Sequence, residues 1–135
     1  DTELSGRAAE FWRSVGCRTA VVSETDHDRI LAWTSHVPHA VAFAFARCID
    51  KKYFPFTAGS FRGLARLSRS SPEVWSDIFS TNRVQVLDAI ESFQRELQEL
   101  KLHVGRSADT DGRDALLAHL RQAVQLMEQY DGYSD

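Results

Sequence analysis

The hydrophobic pattern along this 135-residue chain is that of a helical protein. Apolar residues recur about every 3.6 positions, as on one face of a helix, over residues 4–15, 28–49 and 114–130. The stretch after Pro38 is apolar almost all round, which indicates a helix buried on most sides. Proline lacks an amide donor and clashes with the preceding turn, so we expect a kink or break near 35–37.

The longest predicted helix covers residues 72 to about 104 and carries a heptad seam. A capping serine, Ser71, and a proline at the first helical position mark its start. The seam positions alternate four and three residues apart and are Val86, Ile90, Phe93, Leu97, Leu100 and Val104. At ~1.5 Å per residue the helix is roughly 45–50 Å long. The seam therefore needs a partner helix, either from this chain or from a second copy.

Shorter segments separate the predicted helices. They are a strand at 17–23 after a stop at Gly16, a polar turn at 24–28, an aromatic-rich loop at 51–60, a short helix at 61–68, a flexible connection at 105–112 and a fraying tail from 131. Within the polar turn, Thr25 or Asp26 is the expected N-cap of the helix that follows. One strand cannot form a sheet, because its amides need partners. Together with the start in mid-helix without methionine, this favours the end of an α/β sheet whose other strands are missing. Pairing with a second copy, or a merely extended segment, is the alternative.

Composition narrows the class of protein. A net charge of −3 gives no general affinity for nucleic acid or anionic membranes. Cys17 and Cys48 are too few for a disulfide framework and lack the spacing of a metal site, which favours a reducing, cytoplasmic setting. The longest apolar run is too short to span a bilayer, and no signal peptide is visible. None of the glycines has GxGxxG or GxxxxGK spacing, so we expect no nucleotide site in this chain.

Three segments concentrate residues that suit chemistry. His36 and His39 can share a helix face beside the proline break, where they are either ligand-binding or simply packed. Arg62 and Arg66 are four positions apart on a short helix and suit a carboxylate or phosphate, although a solvated basic face has the same pattern. Trp75, near a helix start, is either a pocket wall or a core residue.

These motifs, in this order, resemble the C-terminal domain of the prephenate and arogenate dehydrogenase family. The matching text is HDRILAWTSHVPHAVAFAFA (27–46) followed by GSFRGLARLSRSSPEVWSDIFSTNR (59–83). Upstream, EFWRSVGCRTAVVSETDHD (10–28) resembles the last helix and strand of the family's dinucleotide domain. The resemblance implies a mainly α fold, with residues 25–135 as the helical dimerisation and substrate domain. Residues 1–24 would be a helix–strand remnant of a Rossmann nucleotide-binding domain.

The resemblance also implies a reaction. The complete, cytoplasmic enzyme would use NAD or NADP to oxidise prephenate or arogenate, with loss of carbon dioxide, in tyrosine biosynthesis. It would be a homodimer through its helical domains. The family's catalytic histidine belongs to the nucleotide domain, so the resemblance implies no catalytic residue in this chain, no metal, and no NAD or NADP binding by this chain alone.

Site roles carry over by position. Arg66 would pair with a substrate carboxylate, and Ser35 and His39 would contact the substrate from the proline-broken helix. Trp75 would help wall the pocket, either of its own subunit or of the neighbouring one. Structural or supporting roles would fall to Asp28, His36 and Arg62. The chain departs from the pattern at Gly63, where many relatives carry an acid.

Two other readings of the same residues stay open. The first is a stand-alone, non-catalytic helical dimer that binds a small aromatic acid. The second is a structural module whose histidines and arginines merely pack. A βαβ unit containing GxGxxG upstream of residue 1 would separate the enzyme from both.

Overall fold

The structure, a computed structural model, describes residues 2 to 131 and confirms a mainly helical fold. The elements are α1 Thr2–Ser14, α2 Glu24–Leu31, a π-helical turn Ala32–His36, α3 Val37–Cys48, a 3-10 helix Lys51–Phe56, α4 Gly59–Leu67, α5 Pro72–Thr81, α6 Arg83–Arg106 and α7 Thr110–Asp131. The chain divides into two compact units, one ending at Val86 and the other beginning at Leu87. The fraying expected of the tail after 131 lies outside the described residues.

The predicted strand at 17–23 is wrong. Gly16 ends α1 with a φ of 89°, its N–H donating to the Arg13 carbonyl at 3.0 Å, as in a left-handed helix cap. The segment that follows is irregular, and no strand occurs within residues 2–131. The segment is rich in β-branched residues, but within residues 2–131 no second strand lies alongside it to form the hydrogen bonds of a sheet.

The broken helix is confirmed, but it begins earlier than predicted. Residues 24–28 belong to α2 and are not a turn, because the Ser23 hydroxyl accepts from the Asp26 N–H at 3.1 Å and caps the helix. The predicted caps, Thr25 and Asp26, therefore lie inside the first turn. The break at Ala32–His36 is a π-helical turn just before Pro38. Proline offers no N–H to the preceding turn, and π-helical turns often interrupt α-helices at functional sites.

Helix α4 packs against the end of α3 through aromatic rings. The predicted loop contains the 3-10 helix, and α4 begins at Gly59, two positions earlier than expected. The Phe61 ring lies with its centroid 6.1 Å from each of Phe45 and Phe54. The face of α4 that carries Phe61 is thereby held against α3.

The single long helix predicted over 72–104 is wrong: the chain breaks at Asn82. Ser71 caps α5 as predicted, its hydroxyl accepting from the Val74 N–H at 3.3 Å. Asn82 then leaves the helical region, with φ −100° and ψ 32°, and its carbonyl accepts from the Val86 N–H at 3.0 Å to start α6. The first seam residue, Val86, is buried in this unit.

The second unit consists of the rest of α6 and helix α7. The connection predicted to be flexible is mostly helical: α6 runs to Arg106 and α7 starts at Thr110. The turn between them is tight, because the Gly112 N–H donates to the Asp109 carboxylate at 2.8 Å and a Cβ at Gly112 would overlap the Arg106 carbonyl. Several apolar side chains of this unit stay exposed: Leu97, Val104, Leu117, Leu120, Val124 and Met127.

Candidate functional site

Trp75 forms the centre of an aromatic cluster in the first unit. Its indole ring is buried and stacks on the His39 ring, with centroids 3.7 Å apart and planes 21° from parallel. The rings of His36 and Phe43, on the same face of the broken helix, contact Trp75 edge-on at 6.0 and 6.5 Å. Phe79, one turn further along α5, lies 5.4 Å from Trp75. The cluster thus joins α5 to the segment predicted to bind a ligand.

The imidazole of His39 is fixed in one tautomer when neutral. Its Nδ1 lies 2.9 Å from the backbone carbonyl oxygen of Ser35. A carbonyl can only accept, so Nδ1 carries the proton and donates. The neutral ring therefore presents Nε2 as a hydrogen-bond acceptor, whereas the protonated ring would present a donor there. Ser35 and His39 are both half-buried, one turn apart, so each is open enough to meet a small molecule.

A buried polar bridge ties the π-helical turn to the junction of α5 and α6. The Asn82 side-chain amide donates to the Asp28 carbonyl oxygen at 2.8 Å and lies 3.2 Å from His36 Nδ1. The amide nitrogen has two hydrogens, which suits two acceptors, so His36 Nδ1 accepts and the neutral ring is protonated at Nε2. His36 and Asn82 are both buried.

The buried surroundings of His36 favour its neutral form. Burial away from water lowers the pKa of His36 below its usual 6.5, opposed by the charge of Asp28 and assisted by His39 and His27. Asp28 joins the bridge through its backbone carbonyl, while its carboxylate lies 3.1 Å from His27 Nδ1 at the surface. Of the three residues given structural or supporting roles on resemblance, Asp28 and His36 therefore lie in the bridge, and Arg62 lies on α4.

Asn82 is the site residue that sequence reasoning missed. The predicted helix passed straight through it, so no role was assigned to its side chain. The available signal is the asparagine itself, because asparagine can end a helix and its side-chain amide offers two hydrogen-bond donors.

The predicted arginines lie on α4, which packs against the end of α3. Arg62 and Arg66 are both exposed, and no hydrogen bond, ion pair or ring contact within residues 2–131 joins either side chain to His39 or Trp75. The structure thus brings Ser35, His39 and Trp75 together, and within residues 2–131 it shows no direct contact between Arg66 and these three residues. A side chain at Gly63 would point into open space.

The described part of the chain offers neither a metal centre nor a membrane span. Within residues 2–131 no three His, Cys, Asp or Glu side chains are grouped to hold a metal ion. No helix in the same range combines the length and the apolar character needed to cross a bilayer.

Comparisons with known proteins place this architecture in a family. Residues 23–122 match the family model described as "Prephenate dehydrogenase, dimerization domain". Cyclohexadienyl dehydrogenase of Zymomonas mobilis is 33% identical over 122 residues, covering 85% of this chain and 40% of that protein. Prephenate dehydrogenase of Bacillus subtilis is 30% identical over 130 residues, covering 84% of this chain and 34% of that protein.

A solved structure agrees with both sequence relatives. Prephenate dehydrogenase from A. aeolicus, in complex with hydroxyphenyl propionate and NAD+, superposes with a TM-score of 0.82 at 30% identity, over 95% of this chain and 46% of that one. The chain thus spans less than half the length of each of these relatives. The family match covers well over half of the chain itself, and the chain therefore belongs to the prephenate dehydrogenase family, whose dimerization domain it carries.

Proposed function

We propose that this chain supplies dimerisation and substrate binding to a cytoplasmic, NAD- or NADP-dependent prephenate or arogenate dehydrogenase of tyrosine biosynthesis. The reaction is oxidative decarboxylation, which converts prephenate to 4-hydroxyphenylpyruvate. The observation that carries the proposal is the held imidazole of His39, stacked on Trp75 at 3.7 Å with Nε2 left for a ligand. The A. aeolicus relative, crystallised with hydroxyphenyl propionate and NAD+, supports an aromatic acid as the ligand class.

The residues of this chain would bind and orient the substrate. Neutral His39 can accept a hydrogen bond from a substrate hydroxyl, and protonated His39 can donate one to a carboxylate. Arg66 can hold a second carboxylate in a two-pronged hydrogen bond, because its guanidinium is exposed on α4. Since one face of the Trp75 ring is already covered by His39, Trp75 acts by holding that imidazole as well as by walling the pocket.

We expect the hydride acceptor to be bound by residues outside this chain. NAD or NADP, when bound, accepts the hydride from the substrate ring. The sequence has no glycine-rich phosphate loop to hold a dinucleotide. We therefore expect the chain alone to bind no NAD. Micromolar NAD binding to the 135-residue chain in isothermal titration would contradict this.

Arginine replacement in the complete protein tests the substrate site. Arg66→Ala should raise the KM for prephenate or arogenate, because a charged hydrogen bond contributes about 1.5–3 kcal/mol, equivalent to roughly 10- to 150-fold. Arg47→Ala, at an exposed position near the end of α3, is the matched control and should leave KM unchanged. An unchanged KM in Arg66→Ala removes Arg66 from the site. Absence of NAD(P)-dependent turnover of both acids overturns the proposed function.

The proposed homodimer uses the heptad seam of α6. Within the second unit, Leu97 and Val104 of the seam are 54% and 56% exposed, which leaves apolar surface for a second copy. Leu97→Glu should weaken the dimer by two orders of magnitude or more, because each of two copies loses about 1.5–3 kcal/mol of burial. Gln98→Glu adds the same charge at the neighbouring exposed position. Sedimentation equilibrium with the same dimer constant for both variants would rule out this seam as the interface.

A further inference from the structure

The bridge made by Asn82 joins segments that are distant in sequence. Its two hydrogen bonds connect residues 54 and 46 positions apart, whereas most side-chain hydrogen bonds within residues 2–131 link residues no more than four positions apart. Asn82 therefore ties the end of α2 and the last residue of the π-helical turn to the junction of α5 and α6.

The bridge and the aromatic stack lie between the same two segments. Asn82 contacts His36 at the end of the π-helical turn, and Trp75, two turns earlier on α5, covers His39 one turn later on α3. The direction is antiparallel, so the Asn82–His36 contact sets the register of the broken helix against α5. In that register the rings of Trp75 and His39 stack with centroids 3.7 Å apart.

We propose that Asn82 is a positioning residue for substrate binding: its amide holds the π-helical turn against the α5–α6 junction and thereby sets where His39 Nε2 meets the substrate. The proposal rests on the proposed function of this site. Asn82 acts through His36 and the backbone of Asp28, and it does not itself contact the substrate.

The local chemistry explains why asparagine suits this position. Both amide hydrogens have acceptors, the Asp28 carbonyl and His36 Nδ1, in a buried setting. Without the amide, no other described contact supplies a donor to His36 Nδ1. The Asp28 carbonyl would still accept a hydrogen bond from the backbone N–H of Ala32. A buried acceptor without a donor is unfavourable, so the turn would shift to find water or another donor. The same shift would move His39, three residues further along.

Asn82→Leu in the complete protein tests the proposal, because leucine keeps the branched shape of the side chain and removes the donors. Asn82→Ser serves as a second variant if the leucine protein does not fold. Thr81→Ala is the matched control, since the Thr81 hydroxyl makes only a local bond to the Asp77 carbonyl at 2.8 Å. We expect the KM for prephenate or arogenate to rise roughly ten-fold, equivalent to about 1.4 kcal/mol, with kcat and the KM for NAD(P) nearly unchanged.

A second measurement does not need turnover. Diethyl pyrocarbonate modifies neutral imidazole, and its rate at each histidine can be read by peptide mass spectrometry. We expect Asn82→Leu to raise the rate at His39 several-fold, because the ring loses its cover, and to leave exposed His27 unchanged. If the complete protein turns over neither acid, the proposed function fails, and the His39 rate then decides only whether Asn82 positions the His39 ring.

The two outcomes against the proposal are distinct. A folded Asn82→Leu protein with wild-type substrate KM and wild-type His39 reactivity would show that Asn82 only stabilises the fold. Equal rises in the KM for substrate and for NAD(P) would show a general distortion of the protein, which also overturns a specific positioning role.

Discussion

Trp75 is the residue whose replacement best measures how firmly the candidate site is built. It is 9% exposed and contacts four other rings, so Trp75→Ala removes nearly a whole buried indole. Replacing a core tryptophan by alanine costs about 3–5 kcal/mol of the unfolding free energy. The close stack on His39 places the expected cost toward the upper end, because an aromatic pair adds about 0.5–1.5 kcal/mol beyond burial.

Trp33→Ala is the matched control, because Trp33 lies in the π-helical turn but is 47% exposed. Its replacement should cost about 1 kcal/mol or less. Urea unfolding of the chain, followed by far-ultraviolet circular dichroism, gives both values, and equal slopes allow the midpoints to be compared directly. A cost below about 1 kcal/mol for Trp75→Ala, or equal costs for the two variants, would refute the packing described here.

Three further predictions follow from glycines and from His36. Gly112→Ala should lower the free energy of unfolding by about 1–3 kcal/mol, because the added Cβ would overlap a backbone carbonyl. Gly105→Ala, whose Cβ would meet open space, should raise it by about 0.5–1 kcal/mol. Shifts of Tm in the same direction for both variants would contradict this. In the complete protein, Gly63→Asp should raise the substrate KM, because it places a carboxylate one turn from Arg66. Gly63→Ala should leave the substrate KM unchanged, and equal KM values for the two variants would contradict this. Burial lowers the pKa of His36, so the contribution of its neutral form to stability is present above pH 6.5 and is lost as the pH falls below 6.5. Urea unfolding at a series of pH values should show this loss in the wild type and not in His36→Gln.

The parts of the fold that were predictable from sequence are those set by local chemistry. Pro38 breaks its helix because it lacks an N–H, whatever lies around it. Ser71 caps α5 and Gly16 ends α1 for equally local reasons. Such features depend on neighbours in the chain, so a single sequence is enough to place them.

The features that the sequence did not reveal depend on distant partners. The period over 72–104 is continuous, and asparagine in a helix costs well under about 1 kcal/mol, so the apolar period does not indicate a break at Asn82. The break becomes favourable because the side-chain amide of Asn82 donates to the Asp28 carbonyl and to His36 Nδ1, about fifty positions away. The strand at 17–23 failed for the opposite reason: its composition suits a sheet, but no second strand joins it within residues 2–131.

The candidate site was only partly predictable for the same reason. Spacing alone placed His36 and His39 on one face, and both do contact Trp75. Spacing also paired Arg62 with Arg66, but it could not say whether that helix faces the histidines. The structure leaves both arginines exposed. The ligand proposed to join Arg66 with His39 is therefore argued from chemistry and family likeness.

The imidazole of His39 is held by three constraints that come from different residues. The Trp75 ring fixes its plane, the Ser35 carbonyl fixes its tautomer, and the Asn82 bridge fixes the backbone that carries it. A group that is already oriented loses little freedom on binding, so more of its interaction energy reaches the ligand. Two of the constraints involve side chains of α5 and its junction with α6, and one involves only backbone. The Ser35 hydroxyl takes no part in these three constraints, so the proposed contact of that hydroxyl with a substrate would not loosen the histidine beside it.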